Sequence, residues 1–335
     1  PFPEVGQAPW ADAGTQFGTG LSGVEPLREA IYKVDEGKVR KLGSRVVEQT
    51  MASGISAWLC GMFGLGNQCS TNSSACATGT ESIILAAERI RQGKAKVMLA
   101  GSCDSEGPYV WGGFDSMRVL VRQANGQPEG ASAPLSSRAA GFVPGAGAGA
   151  LVLESLEHAQ SRGATILGEY LGGAINSGGQ LQGGTMTASN SEAVVRAMQM
   201  ALQDAQITGD KVDAINGHLT ATMGDPKEVK NWQKALNIAQ GSFPFINSTK
   251  SMIGHCLGAA GSIEAVACLL QLCGGYIHPS LNAMPLHPDI ADILPEKAIP
   301  QTAVEVPNLK IIAKSGFGFG DVNAVLLLRK WEEKR

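Results

Sequence analysis

Cys76 lies in SSACATGTESIILAAERIRQG (73–93), among very small residues and directly ahead of a helical pattern. An extended segment delivers it to a turn, and the helix begins behind it. A helix N-terminus offers free N–H groups and the positive end of the dipole, which favours a thiolate and can lower a thiol below its usual ~8.5. Ala75, Ala77 and Gly79 leave room for a substrate and let backbone amides reach an oxyanion. The same stretch also reads as a packed core thiol, since free cysteine is often a small buried hydrophobe. Spacing alone leaves both readings open.

Five histidines could supply a base or a donor. His158, in LESLEHAQSRG, lies on a charged surface helix. His278 and His287 each precede a proline in a proline-rich connection, where no chemistry is expected. His218 and His255 differ, because each is read at the end of a strand among small and hydroxyl residues. In NGHLTATMGD, Thr220 and Thr222 follow His218 at alternating positions. In STKSMIGHCLGAAGSIE, Lys250 lies five residues before His255 and Glu264 nine after it. A lone histidine there is more often a satisfied core residue; two, with a buried-looking lysine and glutamate, point to a site. Asp225 is read as a helix N-cap. KSGFGFGDVNA (314–324) is read as a glycine-rich loop before the last strand, able to present a backbone N–H and swing an aromatic ring. It reads equally as a turn with core anchors.

These residues need elements to hold them, and the pattern supplies strands alternating with helices. AGTQFGTG, KVMLAGS and AGALVLES (148–155) read as strands, as do KVDAING, FPFINST and NAVLLLR. GVEPLREAIYKV reads as a helix. A second helix, 80–92, carries Ile83, Ile84, Ala87 and Ile90 on one face, with Gly93 as its C-cap. SNSEAVVRAMQMALQDAQITG has a capping box of Ser189 with Glu192 and an apolar stripe through Val195, Met198 and Leu202. DPKEVKNWQKALN starts a helix with Asp225 at the N-cap, Pro226 at N1 and Glu228 at N3. The alternation predicts an α/β fold with helix-covered sheets, in two halves, 1–147 and 148–335. Strand, small-residue turn and helix at 67–92 are echoed at 244–273. A potentially reactive residue precedes the helix in each: Cys76, then His255.

Composition narrows the function. The 335 residues, 44% hydrophobic and 17% charged, fit a well-buried chain, and the 43 glycines are dispersed rather than periodic. A net charge of −3 without a basic run points away from nucleic acid. The most apolar segment, SIEAVACLLQLCGGYI, contains Glu264 and reads as a core helix rather than a membrane span. Seven cysteines, odd in number and without CxxC pairs, suggest reduced thiols in the cytoplasm, with no metal site. The chain opens at Pro1 with no Met, no signal peptide and no clear first strand, so further N-terminal residues are expected.

Together, ACATGTES, GHLTATMGD, STKSMIGHCLGAAGSIEA and GFGFGDVNA resemble the β-ketoacyl-acyl-carrier-protein synthases, elongating condensing enzymes of the thiolase-like superfamily. GGFDSMRVL and GFVPGAGAGALVLE also look like segments of that family, and the match keeps its order from about Gly18 to Arg329. The family's opening strand and helices have no counterpart. The resemblance implies a five-layered α/β/α/β/α fold of two similar halves, a homodimer and an acyl carrier protein as partner. It implies an acyl chain carried on Cys76, with His218 and His255 assisting decarboxylation of a malonyl thioester. Lys250 would set the local field and Glu264 would hold the network. Backbone amides of Cys76 and Phe319 would form the oxyanion hole, Phe319 would gate the second substrate, and Thr220 and Thr222 would bind the phosphopantetheine arm. No metal or redox cofactor is implied.

The chain also departs from the family. Leu219 replaces the usual Gly after the first histidine, and Ala221 the usual Ser between the threonines. Asp321 stands at the second Gly after FGFG, and Ser315-Gly316 at the usual Asn-Ser. Leu219 is expected to force a different loop or narrow the pocket opposite the nucleophile, in a member with unusual substrate preference. Two other readings compete. A non-catalytic chain-length-factor-like partner would lack the active cysteine. A thiolase acting on coenzyme A esters would want a cysteine in 314–324, and none is present.

Overall fold

Two sheets face each other across a buried pair of helices. The computed structural model describes residue 3, residues 7–239 and residues 241–332; the Pro1 start lies outside them. In chain order the first half comprises β1 (Ala13–Gly18), α1 (Val24–Asp35), α2 (Val46–Thr50), α3 (Gly54–Phe63), β2 (Cys69–Ser70), α4 (Thr78–Arg91), β3 (Val97–Asp104), α5 (Pro108–Ser116), β4 (Gly147–Glu154) and α6 (Leu156–Ser161). The second comprises β5 (Gly168–Ser177), α7 (Ser191–Asp204), β6 (Ala214–Asn216), α8 (Asp225–Leu236), β7 (Phe245–Asn247), α9 (Lys250–Ile253) and α10 (Ala260–Gly274). After these come β8 (Tyr276–Ile277), α11 (Pro288–Ala291), β9 (Val304–Glu305), β10 (Ile311–Gly318) and β11 (Val322–Lys330).

The first sheet runs β2-β1-β3-β4 and the second β5-β11-β10-β6-β7, with β8 and β9 as a separate ribbon. In both, two parallel pairings lead to an antiparallel hairpin-like pair, β3 with β4 and β10 with β11. Read as β7-β6-β10-β11, the second sheet repeats the first, which is the internal similarity expected from the sequence. Helices α4 and α10 fill the layer between the sheets, α3 covers the first sheet and α7 the second, with α8 packed beside α7. The result is the five-layered α/β/α/β/α architecture. Strand β4 pairs with β3 along its whole length, so residues 147–154 belong to the first half. The passage between halves therefore falls later than the 147/148 division read from the sequence.

Helices α4 and α10 can cross closely because both are glycine at the crossing. A Cβ on Gly79 would overlap Ser262 N and Ser102 Oγ, and one on Gly261 would overlap Thr80 N. Each glycine is the second residue of its helix, so the two N-termini meet and bring the residues ahead of them together. Gly79 thus serves helix packing, not substrate room as its neighbourhood to Cys76 suggested. Gly79→Ala is expected to lower stability by about 1–3 kcal/mol through overpacking; a denaturation midpoint equal to the parent's would contradict this close contact.

Caps and strands depart from the sequence reading in four places. Asn190, not Ser189, caps α7, accepting from the backbone N–H groups of Glu192 and Ala193. Helix α8 takes Gly224 as its N-cap, and Asp225 lies inside the first turn. The stretch 311–318, read as loop from Lys314 onward, is instead the central strand β10, leaving 319–321 as the turn into β11. His255 follows α9 rather than a strand. Leu257–Gly274 is long and apolar enough to cross a bilayer, but 61% of it is buried inside the fold with Glu264 in it. All seven cysteines are free thiols.

Candidate active site

Cys76 occupies the turn between β2 and α4, half-buried, with Ala75 before it in the left-handed region at φ 49°. The turn closes on itself, Ala77 N donating to Ser74 O at 3.0 Å and the Thr78 hydroxyl to Ala75 O at 2.7 Å. The helix N-terminus does not make Cys76 a resting thiolate. Burial pushes the thiol up to about 12, and Lys250 is the neighbouring charge that pulls it down, against Asp104 and Glu264.

His255 is held by its backbone. Its N–H donates to Val143 O at 2.7 Å and its carbonyl accepts from Gly145 N at 2.9 Å. The Leu257 N–H donates to His255 Nδ1 at 3.2 Å, so in the neutral ring the proton is on Nε2, which becomes a donor. His218 lies just past β6, its N–H held by Glu228 Oε1 at 2.8 Å. The two imidazoles meet edge to face with centroids 5.4 Å apart. Burial and then Lys250 hold both rings well below the usual histidine range, so they are neutral at pH 7. Nδ1 of His218 is shut from solvent and has no hydrogen-bond partner among the described residues.

Behind the histidines lies a buried ionic cluster. Lys250 Nζ binds Glu264 Oε1, and Lys314 Nζ lies 2.6 Å from Glu264 Oε2. The sequence placed Lys250 and Glu264 together correctly but did not single out Lys314. The available signal was a lysine inside an otherwise apolar and glycine stretch, obscured once 314–324 was read as loop. Asp104 was also missed. Its carboxylate, at the end of β3, accepts from the Thr19 hydroxyl and from Gly20, Leu21 and Gly258 N–H groups, tying the loop after β1 to the segment following His255.

The turn after β10 closes the site. Gly318 abuts the nucleophile turn, where a Cβ would lie 3.3 Å from Cys76 N. The next residue, Phe319, leans on Phe114 at 6.1 Å between centroids, Phe114 on Phe142 at 5.5 Å, and Phe142 on His255 at 5.1 Å. Phe317 packs edge-on against His218 at 5.7 Å. Thr220 and Thr222 come together, their hydroxyls 3.0 Å apart on the loop leaving His218. Asp225 is not the cap expected of it. Its carboxylate accepts from Thr220, Ala221 and Leu135 N–H groups and so shapes that loop, while burial raises it to about 7.

The unusual residues are each fixed by defined contacts. The Leu219 side chain is buried in the hydrophobic core with Val229 and Trp232, while its N–H donates to Glu228 Oε2 at 2.8 Å. The expectation of a pocket narrowed by Leu219 is therefore overturned: its side chain turns into the core. Ala221 takes a left-handed φ of 59° without glycine's help, fixed by Asp225 and by Gly141 N on its carbonyl. Asp321 turns its carboxylate onto Asn190 and Gln180 N–H groups, fastening the 178–190 loop to the turn beside Phe319. A cleft of about 1000 Å³ lies elsewhere. It is lined by Trp10, Phe63, Ile90, Leu153, Leu269 and Trp331, toward the far end of α4.

Known proteins repeat this arrangement. Residues 7–159 match the family described as beta-ketoacyl synthase, N-terminal domain, and residues 167–284 its C-terminal domain. The chain is 37% identical to the chloroplastic 3-oxoacyl-[acyl-carrier-protein] synthase I of Arabidopsis thaliana, over 94% of this chain and 65% of that protein. It is 33% identical to 3-oxoacyl-[acyl-carrier-protein] synthase 2 of Vibrio cholerae, over 98% of this chain and 78% of the relative. The chain spans 65% and 66% of the lengths of the Arabidopsis and Hordeum vulgare chloroplastic synthases. Among solved structures, a beta-ketoacyl synthase from Burkholderia phymatum superposes with a TM-score of 0.89 at 29% identity, covering 98% of this chain and 78% of that one. A type II polyketide acyl-carrier protein in complex with its hexaketide-bound ketosynthase gives 0.87 at 29% identity, covering 96% and 78%.

Proposed function

The chain belongs to the β-ketoacyl synthase family, and from that premise we propose that it is a 3-oxoacyl-acyl-carrier-protein synthase that elongates acyl chains by decarboxylative condensation. The observation that carries this reading is a thiol just ahead of a helix start and two neutral imidazoles 5.4 Å apart, with one buried lysine, Lys250, acting on all three.

The chemistry follows from those groups. Cys76 sulfur attacks the thioester carbonyl of an acyl chain on its carrier; the new S–C bond forms, the carrier thiol leaves, and the proton of Cys76 passes to it. Because the resting thiol is neutral, its proton is shed as the acyl thioester arrives, with Lys250 favouring the developing thiolate. Backbone amides of Cys76 and Phe319 are the donors proposed for the oxyanion. A malonyl-carrier then takes the place of the first carrier. Its C–C bond to the carboxylate breaks, CO₂ leaves, and the electron pair forms an enolate whose oxygen accepts from Nε2 of His255 and from His218. The enolate carbon attacks the acyl carbonyl, a C–C bond forms and Cys76 departs and regains a proton.

In this scheme Thr220 and Thr222 hydrogen-bond the phosphopantetheine arm, and Phe319 swings to admit the second substrate. The carbanion comes from decarboxylation, so the reaction draws on no further cofactor. Acyl carrier protein is the proposed partner, consistent with the solved carrier–ketosynthase complex, and a cytoplasmic homodimer the proposed working form. The presence of Cys76 speaks against the non-catalytic partner reading, and the burial of Leu219 in the core is compatible with an active site.

His218→Ala and His255→Ala are each expected to take an acyl group on Cys76 yet to decarboxylate malonyl-carrier about 10²–10³-fold more slowly. Acylation is followed by intact mass and CO₂ release by a labelled malonyl group. Undiminished condensation in both variants would refute the donor role.

A further inference from the structure

Among the described residues, Lys314 is a buried cation with no part in the reaction just outlined. It lies on β10, opposite Asn216 of β6 and Leu326 of β11, with its Nζ on Glu264 Oε2 and on the Ser315 carbonyl. Its side chain is 0% exposed, and those of Glu264 and Lys250 are 1% and 2%. Lys250 already occupies Glu264 Oε1, so one lysine alone would neutralise the carboxylate. A second buried cation leaves a positive excess, which low-dielectric surroundings tolerate poorly unless negative charge arrives. Nothing in packing calls for it: the inward-facing neighbours of Lys314 on the strand are Ile312 and Gly316, apolar and small.

The groups around the histidines can be enumerated. Lys250 comes from α9, Lys314 from β10, Glu264 and Cys268 from α10, and Cys76 from the turn before α4. Glu228 and Asp225 approach from α8 and Asp104 from β3. All three carboxyls are raised by burial and already engaged by backbone N–H groups rather than by either lysine. Lys250 and Lys314 both act on each imidazole.

We infer that Lys314 is a positioning residue for the condensation: by taking the second oxygen of Glu264 it leaves the cluster a positive charge in excess, which keeps His218 and His255 uncharged donors and favours negative charge at the reacting atoms. This rests on the condensing reading above, and its test does not depend on turnover. A cation beside a base opposes its protonation, so removing Lys314 must let both rings take up a proton at higher pH.

¹⁵N-histidine NMR of the full chain, with only five histidines to assign, reads this directly. In Lys314→Met and Lys314→Gln the titrations of His218 and His255 are expected to move up by about one pH unit, and the acidic limb of malonyl decarboxylation with them. A merely structural lysine would lower activity without moving either titration, and coincident titrations in variant and parent overturn the inference. Should neither variant fold, the parent decides: both rings must titrate well under the usual ~6.5, and a ring charged at neutral pH overturns it. A parent that takes no acyl group on Cys76 would sink the condensing reading instead, and leaves the ring titrations to decide the role of Lys314.

Discussion

Cys76→Ala is expected to give no acyl adduct on incubation with an acyl-carrier substrate and to lose condensation by at least about 10³-fold. The geometry makes this the largest effect on activity. The nucleophile turn is closed by its own hydrogen bonds, and the end of β10 is pressed against it at Gly318. Cys256 is next to His255 in sequence, but its sulfur is turned toward the carbonyls of Ala146 and Ile253. Alanine keeps the turn, since its neighbours Ala75 and Ala77 already show that a methyl side chain suits that backbone. The fold should therefore survive and the loss be chemical. Intact-mass analysis checks it: an adduct persisting in Cys76→Ala would move the nucleophile elsewhere. Cysteine's resting proton sharpens the expectation. With the thiol pushed up to about 12, general alkylating reagents should label Cys76 slowly at neutral pH, although an acyl-carrier substrate loads it.

Glu264→Ala is expected to be the most damaging substitution to stability, at about 3–5 kcal/mol. It strands two lysines, Lys250 and Lys314, that are at most 2% exposed and share this one carboxylate. Each must then stay charged without a partner or shed its proton, and both alternatives cost free energy. Chemical denaturation of parent and variant measures the difference. A midpoint shift worth less than about 1 kcal/mol would mean that the lysines release their protons readily and that the cluster is not a charged one. Loss of soluble protein agrees with the expectation. Glu264→Gln keeps the shape and isolates the charge: it should be milder than alanine yet still clearly below the parent.

How much of this was legible beforehand varies with how local the cause is. Cys76, His218, Lys250, His255 and Glu264 are each recognisable because they sit in short stretches whose residue types carry the signal. Strand and helix alternation was legible too, since apolar periodicity is a local property. Asp225 was misread because a carboxylate at a helix start looks the same whether it caps that helix or reaches back to Thr220 and Ala221. Leu219 was misread because nothing in its neighbours tells which way a side chain after a strand will turn. In the fold it turns into the core beside Val229 and Trp232. Lys314 was overlooked because its glycine-rich surroundings imitate a loop, whereas those glycines let a central strand approach Thr80 and Ser74.

By itself the amino-acid sequence determined the class of fold, its two similar halves and the candidate residues for acyl chemistry, because each depends on residues close together along the chain. Only the tertiary structure decided which of them meet. Glycines at 79 and 261 let two helices cross near their starts, and that crossing brings together the segments ahead of them, which carry Cys76 in one half and His255 in the other. It also decided the charge of the site. Burial outweighs the helix dipole at Cys76, and strand register puts a second lysine on Glu264, and both effects arise from distance in space and exclusion of water.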